Sequence, residues 1–383
     1  MKFLFLHPNF PAQFRYVTKA LAQNSQNQVV FITARKEGSI PGVKKVVYQL
    51  SRSVHPQTHH YVASLEEAVL HGQAVYRSAL KLKAEGFIPD VIYGHSVWGQ
   101  TLFLKELFPK AKLLCYFEWY YRAHGSDMDF DPAETVTTDD EARIRVRNAA
   151  ILLTLEGCDR GICPSHWQKS QFPKEFHHKL DVVYDRIDTD FFCPDPTAKM
   201  VLPSCNLDLS HAQEIVTYVA RGLEPYRGFP QFIEAIALLQ QQRPECHAVI
   251  VGEDRVVYGA PHVSGKTYKQ VMLEKLDLDS SRVHFVGIPP WQEYRRVFQA
   301  SSVHVHLCRP FLLSWSLLEA IAVGCRIVAS NTPPVLEVIQ DGVNGTLVDF
   351  FDVEAIAVHI EEVLNVSKST SYSKGTVHAL GMT

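Results

Sequence analysis

Short, wholly apolar runs ending in polar or turn residues recur along the chain, and they restrict the fold more than any other feature. Seven lie in the first half: KFLFLHP at 2–8, QVVFITA at 28–34, KVVYQL at 45–50, DVIYGH at 90–95, KLLCYFE at 112–118, RGICPS at 160–165 and DVVYD at 181–185. A strand with one wet face alternates apolar and polar residues, and these do not. They predict parallel strands covered by helices on both sides. After a Pro- and Ser-containing stretch from Cys193 to about Ala212, six more appear: EIVTYVA at 214–220, HAVIVGE at 247–253, RVHFVGI at 282–288, SVHVHL at 302–307, CRIVAS at 325–330 and GTLVDF at 345–350. The predicted fold class is α/β, with two Rossmann-like, doubly wound parallel-sheet domains facing a central cleft. The predicted boundaries are 1–195 for an acceptor domain, 196–212 for a linker, 213–366 for a donor domain and 367–383 for a polar, flexible tail. Such sheets bind ligands beyond the carboxyl ends of their strands, which directs attention to the loops after strands.

Composition excludes several function classes. With 38 Lys and Arg against 41 Asp and Glu, the 383-residue chain has no overall cationic footprint for nucleic acid. The first 52 residues are locally basic, with Glu37 their only acidic residue. That segment is read as a solvated face, and leaves open a patch that attracts an anionic substrate or makes peripheral contact with an anionic lipid surface. No run reaches the roughly 20 apolar residues of a membrane helix, and the start MKFLFLHPNF turns polar too early for a secretory signal. The sequence therefore predicts no integral membrane segment and a cytoplasmic location. The eight cysteines are scattered, which predicts reduced, buried thiols. His59-His60, His177-His178 and His304-Val305-His306 lack the further ligands of a closed metal site, so no metal is predicted.

Two segments carry the predicted chemistry. In CRPFLLSWSLLEAIAVGCRIVAS, residues 308–330, Ser314 reads as a helix cap. Trp315 and Ser316 then open a helix whose amides and positive dipole end suit a diphosphate. Glu319, one turn on, suits a ribose diol, and Gly324 ends the helix. In ARGLEPYRGFPQFIEAI, residues 220–236, Arg221 and Arg227 bracket a turn whose Gly222 and Gly228 allow close approach to a ligand. Two cations there would stabilise charge building on a leaving diphosphate.

The combination of RG-x4-RGF after a strand, VGE at 251–253, FVG at 285–287 and SWSLLEA-x3-G resembles the retaining glycosyltransferases of family 4, which have the GT-B fold. HPNFPAQF, YGHSVWGQTLFLK, YFEWYY and PSHWQKSQFP are similar to one subgroup of that family, and matching blocks run from residue 1 to about 365. The resemblance implies that Arg221 and Arg227 bind the donor diphosphate and that Glu319 binds the ribose. It implies that Gly287 and Ile288 grip the nucleobase through main chain, and that Leu313, Ser314, Trp315, Ser316 and Leu318 frame the donor. His95 resembles the histidine that contacts the donor sugar, and Glu118 is a candidate for acceptor orientation or base work. Phe311 stands where the family has the first glutamate of a pair, and Arg186 where a glycine is common. The loop His7 to Gln13 lacks the glycine found in many relatives.

The resemblance implies a retaining, metal-independent hexosyl- or pentosyltransferase without a cofactor. Its partners would be a nucleotide-diphosphate sugar, UDP-sugar first among donors, and a hydroxyl acceptor such as a small-molecule or peptide natural product. The chain would be a monomer or homodimer. Phe10, Phe14, Trp98, Phe117, Trp119, Tyr120 and Tyr121 are candidates to stack on that acceptor, with at least half of them expected in the core. Asp127-Met128-Asp129 mimics a metal-binding DxD but lies outside the donor domain. The alternatives are transfer to a lipid-linked or polysaccharide acceptor at a membrane surface, and a sugar-nucleotide-binding protein without catalysis.

Overall fold

A computed structural model describes residues 1–365. The chain divides into two compact units, Met1–Asp185 and the residues from Arg186 onward. The predicted tail, 367–383, lies outside the described residues.

In the first unit, seven strands form one parallel sheet: β1 (Lys2–Leu6), β2 (Gln28–Thr33), β3 (Val43–Val47), β4 (Val91–His95), β5 (Lys112–Tyr116), β6 (Arg160–Cys163) and β7 (Leu180–Val182). Their order is β3-β2-β1-β4-β5-β6-β7. Every one of the first seven apolar runs supplies a strand. β1 shows why such runs do not alternate. Leu4 and Leu6 pack into one core with Val30, Ile32 and Ile92, while Phe5 packs into another with Phe14, Phe31 and Tyr116. Both faces of the strand are therefore dry, and each fully buried Leu or Phe contributes roughly 1.5–3 kcal/mol.

The second unit opens with two short strands, β8 (Met200–Leu202) and β9 (Leu207–Leu209). A six-stranded sheet comes after them: β10 (Glu214–Gly222), β11 (Cys246–Glu253), β12 (Val283–Gly287), β13 (Val303–His306), β14 (Ile327–Ser330) and β15 (Thr346–Val348). The order is β12-β11-β10-β13-β14-β15, parallel throughout. The stretch 196–212, a linker by sequence, carries an ordered feature: β8 and β9 pair antiparallel. This hairpin sits on the helix Trp291–Gln299, whose Arg296 donates to the Val201 carbonyl at 3.0 Å and whose Glu293 accepts from the Ser204 hydroxyl at 2.7 Å. Strands of three residues are too short to show a period.

The basic opening segment is largely partnered. Lys44 meets Glu85 at 2.9 Å, Arg35 meets Glu37 at 3.5 Å and Arg52 meets Glu66 at 2.5 Å. Lys45 donates to the carbonyls of Lys36, Glu37 and Gly38. Surface pairs of this kind stabilise little, about 0–1 kcal/mol each, but they balance the charge locally. Among the described residues no helix is long and apolar enough to cross a membrane. All eight cysteines are free thiols, six of them buried.

Candidate functional site

The strand order of the second sheet reverses between β10 and β13, so the loops after these two strands lie side by side. Gly228 joins them. It has φ +64°, and a Cβ there would stand 2.4 Å from the Leu307 Cβ, so both backbone conformation and contact demand glycine. Gly222 is also tightly enclosed, because a Cβ would come 2.5 Å from the Arg255 carbonyl oxygen. Its smallness is thus explained by packing within the unit.

Arg227 is buried, with 7% exposure. Its Nη1 donates to the Cys308 Sγ at 2.8 Å and to the Leu312 carbonyl at 3.3 Å, while its own carbonyl accepts from the Tyr218 hydroxyl at 2.7 Å. Burial works against its charge, yet Cys308 and Tyr258 outweigh burial and hold the guanidinium firmly protonated. The arginine is therefore fixed against the segment that runs into the helix Trp315–Val323. Arg221 differs, being an exposed residue near the end of β10.

Around Arg227 lies an aromatic corner. Phe311 stands edge-on to Tyr226 and Tyr258, with centroids 5.6 and 5.3 Å apart. The Arg227 guanidinium lies 5.5 Å from the Tyr258 ring centre and that of the fully buried Arg309 lies 5.1 Å from Tyr226. The position of the expected glutamate is thus an apolar corner flanked by two buried cations. Glu224, with 0% exposure, joins this corner without any signal in the sequence. Its carboxylate accepts from the amides of Val257, Tyr258 and Gly259 at 2.9, 3.0 and 2.8 Å, which pins the loop after β11 to the Arg227 turn. No periodic pattern marks such a residue; only the rule that a buried carboxylate needs donors explains it.

Ser314 occupies the cap position in extended conformation, but its side chain does not cap; its hydroxyl lies 2.9 Å from that of Ser316. Leu313 is half-buried and Trp315 is 43% exposed. Leu318 is a core residue whose amide bonds the Ser314 carbonyl at 3.4 Å. Glu319 is buried and accepts from the Tyr294 hydroxyl at 2.5 Å. Gly324 ends the helix at φ +83°. Gly287 turns the chain after β12 at φ +62°, leaving Ile288 62% exposed.

The first sheet reverses between β1 and β4, and a second polar cluster lies there. His95, at the end of β4, is 1% exposed. Its Nδ1 accepts from the Val97 amide at 3.3 Å, which leaves Nε2 as the ring nitrogen on the side of Glu118. That Nε2 stands 3.5 Å from the Glu118 Oε2 without forming a hydrogen bond. Glu118 also accepts from Gln13 Nε2 at 3.0 Å, and its carbonyl accepts from Gln168 Nε2 at 2.7 Å. The glycine-free loop reaches this point by placing Ala12 at φ +48°. His7 packs edge-on to His95 at 5.2 Å; burial, then the neighbouring His95, hold its pKa well below the usual histidine range. Asp129 is engaged in a local turn, accepting from the Gly125 amide at 2.9 Å, and Ser126 donates to Asp127 at 3.1 Å.

Two Rossmann-like parallel sheets, each with polar groups gathered where its strand order reverses, define a protein of the GT-B fold class. Residues 25–192 match the family described as glycosyl transferase family 4 group, and residues 206–374 match glycosyl transferases group 1. The chain belongs to the family 4 glycosyltransferases. It is 28% identical over 209 residues to the GDP-mannose-dependent alpha-(1-6)-phosphatidylinositol monomannoside mannosyltransferase of Mycolicibacterium smegmatis, covering 52% of this chain and 51% of that one. It is 26% identical over 204 residues to the D-inositol 3-phosphate glycosyltransferase of Mycobacterium sp. (strain KMS), covering 52% and 43%. The alignments thus span about half the length of these relatives. In fold it is similar to Anabaena HepE in complex with UDP-glucose, with a TM-score of 0.67 and 18% identity over 99% of this chain and 94% of that one. Sucrose-phosphate synthase from Thermosynechococcus elongatus gives a TM-score of 0.70 at 18% identity, with coverage of 99% and 94%.

Proposed function

We propose that the chain moves a hexose or pentose from a nucleoside-diphosphate sugar, a UDP-sugar first among donors, to a hydroxyl group of a small-molecule or peptide acceptor, with retention and without a metal ion. The observation that carries this reading is Arg227, a buried and firmly charged guanidinium tied to the Leu312 carbonyl just before a helix start. A permanent cation beside amide dipoles is suited to a pyrophosphate, and Glu319 one turn along is suited to a ribose diol. The names of the relatives add weight, since one uses GDP-mannose and one fold neighbour was crystallised with UDP-glucose.

In the proposed reaction, the bond from the anomeric carbon to the leaving phosphate oxygen breaks and a bond to the acceptor oxygen forms on the same face. The acceptor proton passes to the leaving diphosphate, so no covalent carboxylate intermediate is needed. Arg227, with Arg221 and the helix start at Ser314 to Ser316, stabilises the charge on that diphosphate. Gly287 and Ile288 are assigned to the base. In the first unit, His95 and Glu118 are assigned to the reacting hydroxyl and sugar, with Gln13 orienting the carboxylate.

The test is a thermal-shift screen with UDP, GDP, ADP and TDP and their sugars, then transfer assays with the best donor and NMR of the product anomer. A ligand that binds only the folded state raises the midpoint. No shift with any nucleotide would remove the donor reading; a product of inverted configuration would remove the mechanism.

A further inference from the structure

Glu319 is held by a residue outside its own helix. The hydroxyl of Tyr294, on the helix Trp291–Gln299, donates to Glu319 Oε2 at 2.5 Å. Tyr294 is half-buried and Glu319 buried, and burying a carboxylate with 6% exposure is costly unless donors reach it. The tyrosine is itself packed among aromatic rings. Its ring stacks on Trp291, at 5.4 Å and 15°, and Trp291 stacks in turn on Phe191 at 5.5 Å and 15°. Phe298 closes the other side, edge-on at 5.2 Å and 82°, and Phe192 stands edge-on at 6.1 Å. These aromatic contacts set the direction of one hydroxyl, and that hydroxyl sets one oxygen of Glu319.

We propose that Tyr294 is a positioning residue for nucleotide recognition: it fixes the Glu319 carboxylate so that the site selects a ribonucleoside diphosphate over its 2′-deoxy counterpart. The inference rests on the reading that Glu319 binds the ribose. A carboxylate has about four acceptor positions, so a bond from Tyr294 leaves capacity for ribose hydroxyls while removing freedom about its terminal torsion. Preorganisation of this kind strengthens binding by reducing what must be ordered when the ligand arrives. A site built to bond a hydroxyl discriminates against the analogue lacking it, because its own polar group is then left unmatched.

The experiment measures dissociation constants of UDP, 2′-deoxy-UDP, GDP and 2′-deoxy-GDP by calorimetry for the wild-type chain, Tyr294→Phe and Glu319→Ala. For whichever base binds, the wild-type chain should prefer the ribonucleotide about tenfold or more. Tyr294→Phe should reduce that preference to about threefold or less while leaving the 2′-deoxy constant within about twofold, which also shows that the pocket is intact. Glu319→Ala should abolish the preference. If Tyr294→Phe keeps the wild-type preference while Glu319→Ala loses it, the positioning role is wrong and the ribose reading survives. If Glu319→Ala keeps the preference as well, or if neither ribonucleotide binds the wild-type chain, the underlying reading falls. If Tyr294→Phe weakens ribo- and deoxynucleotide equally, the preference is unchanged, Tyr294 has only a structural role and the proposal is overturned.

Discussion

Arg227 donates to the sulfur of Cys308 at 2.8 Å, although the two residues lie 81 positions apart on loops that extend from different strands. The contact fixes a buried cation at the point where the second sheet reverses its strand order. If that cation stabilises a departing diphosphate, Arg227→Ala will lower turnover at saturating donor by at least about tenfold, as loss of one donor to a developing anion ordinarily does. Steady-state kinetics with the donor identified by thermal shift decides the point, and unchanged turnover rejects the assignment.

Glu224 organises the loop above this cation. Removing a buried carboxylate that accepts from three half-buried amides costs about 2–3 kcal/mol. In a unit of this size that corresponds to a fall of about 5–10 °C in the unfolding midpoint for Glu224→Ala. Glu224→Gln, which keeps one acceptor oxygen, should fall less. Differential scanning calorimetry reads both, and a wild-type midpoint for Glu224→Ala would show that the amides find other partners.

Acid should destabilise the second unit through its buried histidines. Burial lowers the pKa of His304 to about 3, and that of His306 lies well below the usual range through burial, then Arg227, then His304. Both rings stay neutral when folded, whereas the unfolded chain takes up protons below about pH 6.5. The unfolded state therefore binds more protons as pH falls from about 6.5 towards 3, and each such histidine lowers stability by about 1.4 kcal/mol per pH unit. Denaturant titrations at a series of pH values should show a slope for His304→Gln that is smaller by about one proton. An unaltered slope would mean that His304 is protonated in the fold.

Transfer activity should persist in EDTA. Positive charge at the proposed diphosphate site comes from arginine, and Asp129 is occupied by a backbone amide. Activity lost in chelator and restored by manganese would overturn metal independence.

In the first unit, His95→Ala and Glu118→Gln should each reduce turnover by about 10–100-fold if they act on the reacting hydroxyl and sugar. Comparison of kcat and KM separates this from weaker donor binding, since a change confined to donor KM would assign both residues to binding alone.

The sheet strands are legible in sequence because burial on both faces leaves an apolar run such as KFLFL with no alternation to blur it. The β8–β9 hairpin is not, since three-residue strands carry no period. Arg227, Glu319 and His95 can be singled out because each lies at a strand end or a helix start, where local chemistry has a direction. The roles of Cys308, Tyr294, Glu224 and Arg309 around them cannot, because those contacts depend on which loops the strand order brings together. Five of the seven candidate stacking aromatics, Phe10, Phe14, Phe117, Trp119 and Tyr120, are core residues, whereas Trp98 is 39% exposed. An apolar ring reads the same in sequence whether it packs or binds.

The contact of Gly228 with Leu307 has a practical outcome for redesign. Because no side chain fits between them, the turn bearing Arg227 and the strand end leading to Phe311 form one interlocked piece. A chimera that grafts either loop alone from a relative with another donor will meet a steric mismatch; exchanging residues 221–229 and 307–319 together respects the seam.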